Sequence, residues 1–437
     1  MSRARGVIVL GGGVAGLTAA FGLADRGHRV SLLESRPRCG GRAFSTPDKV
    51  LGRPIDNGFH VMLGCYRAMR GLCQRLGTER GFQQDERLEM RYRFAGGRGT
   101  SLSLSRLPVP LAMPWGVLRL GVGFGARLRA LVGMGSVLLG APASWTFAEW
   151  LRRRWQRGAP DDVLWRPLCR AVMNCEPEEA SASQFLATLR EAFLGSASSA
   201  AFWVPKQTWG ELIGDPAPAA LEAAGVSLRT GARVQQLEVR DGRVAAVVLV
   251  GGERLEVGVD DLVVSALPWF ALTRALGAAA PAPFGALQSA PIVTAYFDVA
   301  DGVPPPDEGP VVALVGAAPF HFVLRTPGDD PRRFALLSGG DRAFDGMSGD
   351  EIVAIARQQV AGYYDGVDVQ RAVVRVRKEQ HATFVPSPDS ASLRPRPGRL
   401  VGGPENLLVC GDWTATGFPA TLEGAARSGE ALVATLR

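Results

Sequence analysis

Three observations predict an α/β fold in which a parallel, dinucleotide-type sheet is interleaved with a second, α+β domain. Residues 7–34 read as strand, glycine turn, helix and strand. A second glycine-ended strand, closing at Gly411-Asp412, lies near the end of the 437-residue chain. Between them, residues 76–225 read mainly helical and residues 225–267 as short strands.

The first unit begins with the apolar run Val7–Leu10, which enters Gly11-Gly12-Gly13-Val14-Ala15-Gly16, continues through a helix-compatible stretch, and returns as Val30–Leu33 before Glu34. Gly11 suits the tight turn, Gly13 the approach of a pyrophosphate to the backbone, and Gly16 the close packing of helix on strand. Free N–H groups at the helix start favour phosphate. Glu34 is placed to accept hydrogen bonds from a ribose 2′-hydroxyl, and its charge disfavours the 2′-phosphate of NADP. Ser35 opens the following loop. Gly40-Gly41-Arg42 returns the chain across the nucleotide, where Arg42 can neutralise phosphate. Ile55-Asp56-Asn57-Gly58-Phe59-His60 forms a further turn.

In the middle of the chain, residues 146–157 and 182–193 are the amphipathic helix candidates. Val234–Val239, Val244–Val250 and Leu255–Val259 read as strands joined at Asp241-Gly242 and Gly251-Gly252. Leu262–Ser265 reads as a buried parallel strand. Beyond it, strands are expected at 292–299, 311–315, 334–338 and 371–377, a helix at 350–364, and loops at 304–306 and 386–397.

The formal net charge of +7 comes mostly from scattered arginines, with no zinc spacing or RNA-binding signature beside them, so nucleic acid is not an expected partner. Cys39, Cys65, Cys73, Cys169, Cys175 and Cys410 form no CxxC and no metal-ligand cluster, as expected of free thiols in a reducing compartment. Met1–Arg5 runs directly into the first strand, so a cytoplasmic protein without a signal peptide is expected. Leu107–Leu139 is rich in Leu, Val, Met and Gly, and residues 130–148 are uncharged. Gly133, Gly135, Gly140 and Pro142 make a transmembrane helix a poor reading. Three readings stay open for residues 107–148: a surface that dips into a bilayer, the wall of an apolar tunnel, or plain buried helices.

Leu407–Cys410 reads as a buried strand ending in Gly411-Asp412-Trp413, followed by Gly417-Phe418-Pro419-Ala420-Thr421 and a helix expected to begin near Pro419. Leu422, Ala425, Ala426 and Gly429 share one face of that helix and are expected to pack on a sheet. A second nucleotide-facing element is superfluous for a nicotinamide enzyme. It is required for FAD, whose ribityl chain and isoalloxazine extend away from the first motif. The cofactor predicted is therefore FAD, bound by a Rossmann-type, glutathione-reductase-like domain. If the last helix points its N-terminus at the flavin, it favours anionic reduced flavin by about 1–2 kcal/mol.

The N-terminal run, the CGGRA segment (39–43) and the CGDWTATGFPATLEGAARSG segment (410–429) resemble the flavin amine oxidase and phytoene desaturase superfamily. Residues 55–66, 146–156, 164–195, 380–388 and 411–425 are similar to the hydroxysqualene dehydroxylases within it. That resemblance implies reduction of hydroxysqualene, an allylic alcohol, to squalene by reduced FAD in bacterial squalene or hopanoid synthesis. It implies that Gly11, Gly13, Ala15 and Gly16 hold the pyrophosphate, Glu34 the adenosine ribose, and Arg42 the phosphates or ribityl chain. The backbone of Val234 would meet the adenine, and Gly411, Asp412, Pro419, Ala420 and Thr421 the ribityl and flavin. Ser35, Gly41 and Gly58 complete the cofactor set. Phe59 and Phe322 depart from the residues usual in that family.

The domains expected are a discontinuous FAD-binding domain (1–75, 225–270 and 398–437) and a substrate-binding domain (76–224 and 271–397). The proton donor is expected to be His60, whose ordinary pKa suits the task, or Asp56. A long hydrocarbon substrate implies docking on the inner face of the cell membrane, and the flavin needs an electron donor that the sequence does not identify. Three rival readings remain: a carotenoid desaturase or isomerase, an amine oxidase with Trp413 and Phe418 in an aromatic cage, and a non-catalytic prenyl-lipid-binding protein.

Overall fold

The computed structural model describes residues 4–281, 284–299, 305, 308–316, 319–328 and 330–436. Met1–Arg3 and, apart from Pro305, the loop expected at 304–306 lie outside the described residues.

The glycine turn is the centre of a six-stranded sheet ordered Ser227–Arg229, Arg29–Leu33, Gly6–Leu10, Leu262–Ser265, Leu407–Val409 and Gly398–Arg399. Its first five strands are parallel, and Gly398–Arg399 closes the edge antiparallel. Alternation along the strands separates two cores. Val7, Val9 and Leu408 face the helices Val14–Ala24 and Leu422–Thr435. Leu10, Leu407 and Val409 face the three-stranded antiparallel sheet Val234–Arg240, Arg243–Leu249 and Arg254–Glu256. The small-residue face of the last helix packs on the first helix rather than on the sheet. A Cβ on Gly429 would lie 2.7 Å from the Ala15 carbonyl oxygen, so only glycine permits that approach.

A seven-stranded sheet forms the second half, ordered Val373–Phe384, Ser289–Asp298, Arg333–Gly339, Phe322–Arg325, Val311–Val315, Glu89–Phe94 and Gly99–Ser103. Helix Gly349–Tyr363 covers one face, and helices from residues 109–193 cover the other. The stretch 76–225, expected to be mainly helical, supplies two of these strands. Arg91, Arg93 and Arg98 obscured them in the sequence: Arg91 pairs with Glu89, and Arg93 pairs with Glu308. Helix Ala182–Phe193 falls where expected, and residues 146–157 give the shorter helix Phe147–Arg153, begun by a capping box between Thr146 and Glu149.

Helices Val109–Leu118 and Phe124–Ser136 and the turn Val137–Leu139 make up the apolar region. Val109, Ala112, Val117, Ala130 and Val137 are buried. Leu111, Trp115, Phe124, Val132, Leu138 and Leu139 are exposed.

Candidate functional site: a glycine cradle opening into an apolar cavity

One cavity joins the glycine turn, the Gly411 loop and the inner face of the seven-stranded sheet. At its polar end, Gly11 turns at φ +100° and donates its N–H to the Leu33 carbonyl at 2.8 Å. A Cβ on Gly16 would lie 1.9 Å from the Gly11 carbonyl oxygen, so turn and helix close only around a glycine there. Gly13 and Gly41 face each other, and a Cβ on Gly41 would approach Gly13 Cα to 3.0 Å. Among the described residues no side chain caps helix Val14–Ala24. Its first N–H groups are left to a phosphate.

The Glu34 carboxylate is buried and accepts from the N–H groups of Gly12 at 2.7 Å and Arg36 at 2.8 Å, and from the Ser35 hydroxyl at 3.1 Å. It lines the cavity with Ser35. The Glu34 carbonyl in turn accepts from the N–H of Ala232. This brings the segment leading to Val234 alongside, although the Val234 side chain packs in the core and does not line the cavity.

Arg42 donates to Asp412 at 2.5 Å and to the Ala382 carbonyl at 2.6 Å. Burial pulls the guanidinium down in pKa, but the adjacent Asp412 carboxylate outweighs it and the net direction is up. Behind this pair, buried Arg394 donates to the carbonyls of Trp413, Thr414 and Phe418, fixing the loop that carries Gly411 and Asp412. The last helix begins at Leu422, with the Thr421 hydroxyl accepting from Gly424 N–H at 3.0 Å. Ala420 and Thr421 line the cavity; Pro419, expected at the helix start, lies before the cap and does not.

Gly58 and His60 line the cavity beside Phe59 and Phe322. The buried Nδ1 of His60 has no hydrogen-bond partner among the described residues, and the ring stands edge-on to Trp209 at 5.7 Å. Burial lowers its pKa to about 4 against the Gly58 backbone, which favours the charged ring, and with a smaller downward push from Arg42, so the imidazole is neutral at pH 7 and ill suited to store a proton. Asp56 is not brought to the cavity. Its carboxylate accepts from the Ser45 hydroxyl at 2.6 Å and Trp209 N–H at 2.9 Å, tying the Arg53–Asp56 strand to a neighbouring turn. Burial raises its pKa to about 6 against those hydrogen bonds. Its role is structural, a correction to the sequence expectation.

Two further expectations change. Residues 107–148 do not line the cavity; Leu168, Val172, Leu189, Phe193, Phe202 and Leu324 are among the residues that form its apolar wall instead. Trp413 and Phe418 make no cage. The Trp413 indole donates to the Leu267 carbonyl and packs on Phe284, and Phe418 lies beneath Arg427. Sequence reading missed Arg394, Asn57 and Glu379. Asn57 stood within a motif already singled out, and Glu379 directly preceded another.

The glycine cradle, the uncapped helix start, the Glu34 carboxylate and the distant Gly411 loop fit a dinucleotide that extends into the apolar half of the cavity. Residues 14–436 match the family of flavin containing amine oxidoreductases. The hydroxysqualene dehydroxylase of Sinorhizobium fredii is 30% identical over 97% of this chain and 96% of its own length. That of Rhodopseudomonas palustris is 30% identical over the same shares. In fold the chain is similar to an oxidoreductase from Methanosarcina mazei, with a TM-score of 0.72 at 15% identity over 98% of this chain and 99% of that one.

Proposed function

This chain belongs to the flavin containing amine oxidoreductases and, within them, to the hydroxysqualene dehydroxylase family, and from that premise we propose that it reduces hydroxysqualene to squalene with FAD. The observation that carries this reading is the cavity itself: a glycine cradle at one end and a long, mainly apolar wall at the other. Bound reduced FAD supplies the hydride and its electron pair.

The chain's own residues do the rest. Gly11, Gly13, Ala15 and Gly16 hold the pyrophosphate, Glu34 and Ser35 the ribose, and Gly41 and Arg42 the phosphate and ribityl region. The backbone near Val234 meets the adenine. Gly58, Gly411, Asp412 and the Pro419-Ala420-Thr421 turn hold the flavin end. The apolar wall orients a polyisoprenoid and excludes water from the cation formed when an allylic hydroxyl departs. Neutral His60, whose buried ring lines the cavity, offers a hydrogen bond to that hydroxyl. We assign residues 1–75, 225–270 and 398–437 to cofactor binding and 76–224 and 271–397 to substrate binding.

No helix among the described residues is long and apolar enough to cross a membrane. The exposed row Leu111, Trp115, Phe124, Leu138 and Leu139 supports docking on the inner face of the cell membrane. Residues 104–148 carry four arginines and no acidic residue, which suits anionic lipid headgroups. The electrons come from a separate reductant.

The test is anaerobic. Chemically reduced holoenzyme mixed with hydroxysqualene should form squalene in step with flavin reoxidation. Absence of squalene, with phytoene reducing the oxidised enzyme instead, would place the chain among the desaturases.

A further inference from the structure

Breaking the C–O bond of an allylic alcohol requires a proton on the departing oxygen. Among the described residues three carboxyl side chains line the cavity: Glu34, Glu379 and Asp412. Two are already engaged. Glu34 is held by the N–H groups of Gly12 and Arg36 at the ribose end, and Asp412 is paired with Arg42. Glu379 forms no ion pair among the described residues, although the Arg42 guanidinium stands near enough to feel its charge. Its Oε2 accepts from Asn57 Nδ2 at 2.9 Å and its Oε1 from the His381 N–H at 3.2 Å.

These partners fix its position. Asn57 directly precedes Gly58-Phe59-His60, the segment that lines the cavity. Glu379 lies on the long strand Val373–Phe384, opposite Ile292, which also lines it. Two bonds from fixed N–H donors leave each carboxyl oxygen further capacity, so the group can carry and direct a proton while held. It is half-buried, and Gln380 and His381 beside it are exposed, so a spent proton is replaced from solvent.

We propose that Glu379, positioned by Asn57, is the proton donor to the hydroxyl leaving the substrate. This rests on the dehydroxylase reading above. The proton passes from the Glu379 carboxyl to the hydroxyl oxygen, and the C–O bond breaks with its electron pair on oxygen. Water departs, and the allylic carbon gains the hydride with its two electrons from reduced FAD, which is oxidised. Solvent returns the proton to Glu379.

The test compares reduced wild type with Glu379→Gln, following flavin reoxidation anaerobically by hydroxysqualene and, separately, by ferricyanide. A positioned general acid contributes about 10²–10⁴-fold. The expected result is FAD retained at wild-type stoichiometry, ferricyanide reoxidation unchanged, and reoxidation by hydroxysqualene slowed at least about 100-fold. Glu379→Asp keeps an acid of shorter reach and should fall between the two. Should Glu379→Gln fail to hold FAD, an unchanged hydroxysqualene rate in Glu379→Asp overturns the proposal, and a slowed one with normal ferricyanide reoxidation upholds it. Rates within a few-fold of wild type in both variants overturn the proposal and leave the dehydroxylase reading standing. No reoxidation of the wild type by hydroxysqualene removes both.

Discussion

Arg42 and Asp412 stand 370 positions apart and form an ion pair at 2.5 Å across the cofactor end of the cavity. The pair locks the loop after the second strand to the loop after the last strand of the parallel sheet. Asp412 is nearly buried, while the Arg42 side chain is about a third exposed. Removing one member leaves a partly desolvated charge, which costs about 1–2 kcal/mol after allowance for solvent screening of Arg42. Asp412→Ala should lower apo stability by that amount and weaken FAD binding at least about tenfold. Flavin absorbance per protein after gel filtration checks it.

Gly16 gives a sharper case. Its Cβ position is 1.9 Å from the Gly11 carbonyl oxygen, a backbone atom that cannot rotate aside. Gly16→Ala must therefore open the turn that cradles the pyrophosphate. Overpacking of this kind costs about 1–3 kcal/mol. The expected variant is folded but largely free of flavin, and calorimetry with added FAD should show little of the stabilisation seen for wild type.

The cofactor end was the legible part of the sequence because its requirements are local. The glycine spacing of 11–16 belongs to a short strand–turn–helix unit, in which Gly16 answers the Gly11 carbonyl five residues before it, and Leu262–Ser265 announced its burial by being almost wholly apolar. The strand Glu89–Phe94 was not legible. Its alternating arginines find partners, such as Glu308 for Arg93, that sequence proximity does not reveal. Asp56 misled for the same reason. A carboxylate near a functional turn reads alike whether it faces the cavity or, as here, caps Ser45 and Trp209 from behind. Arg394 takes its role wholly from tertiary contacts, and Glu379 meets Asn57 across 322 positions of the chain.

Arg394 holds the carbonyls of Trp413, Thr414 and Phe418 from a buried position. Arg394→Met keeps much of the apolar stem but leaves those acceptors without donors. Each unsatisfied buried group costs about 1–3 kcal/mol. A loss of about 3 kcal/mol or more in chemical denaturation is expected, together with loss of flavin, because the freed loop carries Asp412.

His60 predicts a pH dependence. Its folded pKa is lowered by burial to about 4 from the ordinary 6.5. Above pH 6.5 both folded and unfolded states hold it neutral, and its contribution is fully present. As pH falls from 6.5 to 4 the unfolded chain binds the proton first, so stability declines through that window and levels below it. Asp56 runs the other way between about pH 4 and 6, because its folded pKa is raised and the unfolded chain loses its proton first as pH rises. His60→Phe should flatten the His60 component, gaining about 3 kcal/mol at pH 4 relative to wild type when each is referred to pH 7. An unchanged slope in urea titrations across the window would overturn this assignment.

The outer row of the apolar helices gives the last prediction. Trp115 is 62% exposed and Leu139 73% exposed, and neither lines the cavity. Their side chains are therefore free to enter a bilayer without touching the cofactor or the substrate wall. Burying a large apolar side chain yields about 1.5–3 kcal/mol. The double substitution Trp115→Asp and Leu139→Asp should lower partition onto anionic phospholipid vesicles by about 100-fold or more, measured by co-sedimentation. Flavin content and reoxidation by hydroxysqualene dispersed in detergent should stay within about twofold of wild type, since the cavity is untouched. Equal loss of activity in detergent and on vesicles would show that these side chains support the fold rather than dock it. Retained vesicle binding in the double variant would move the docking surface elsewhere on the molecule.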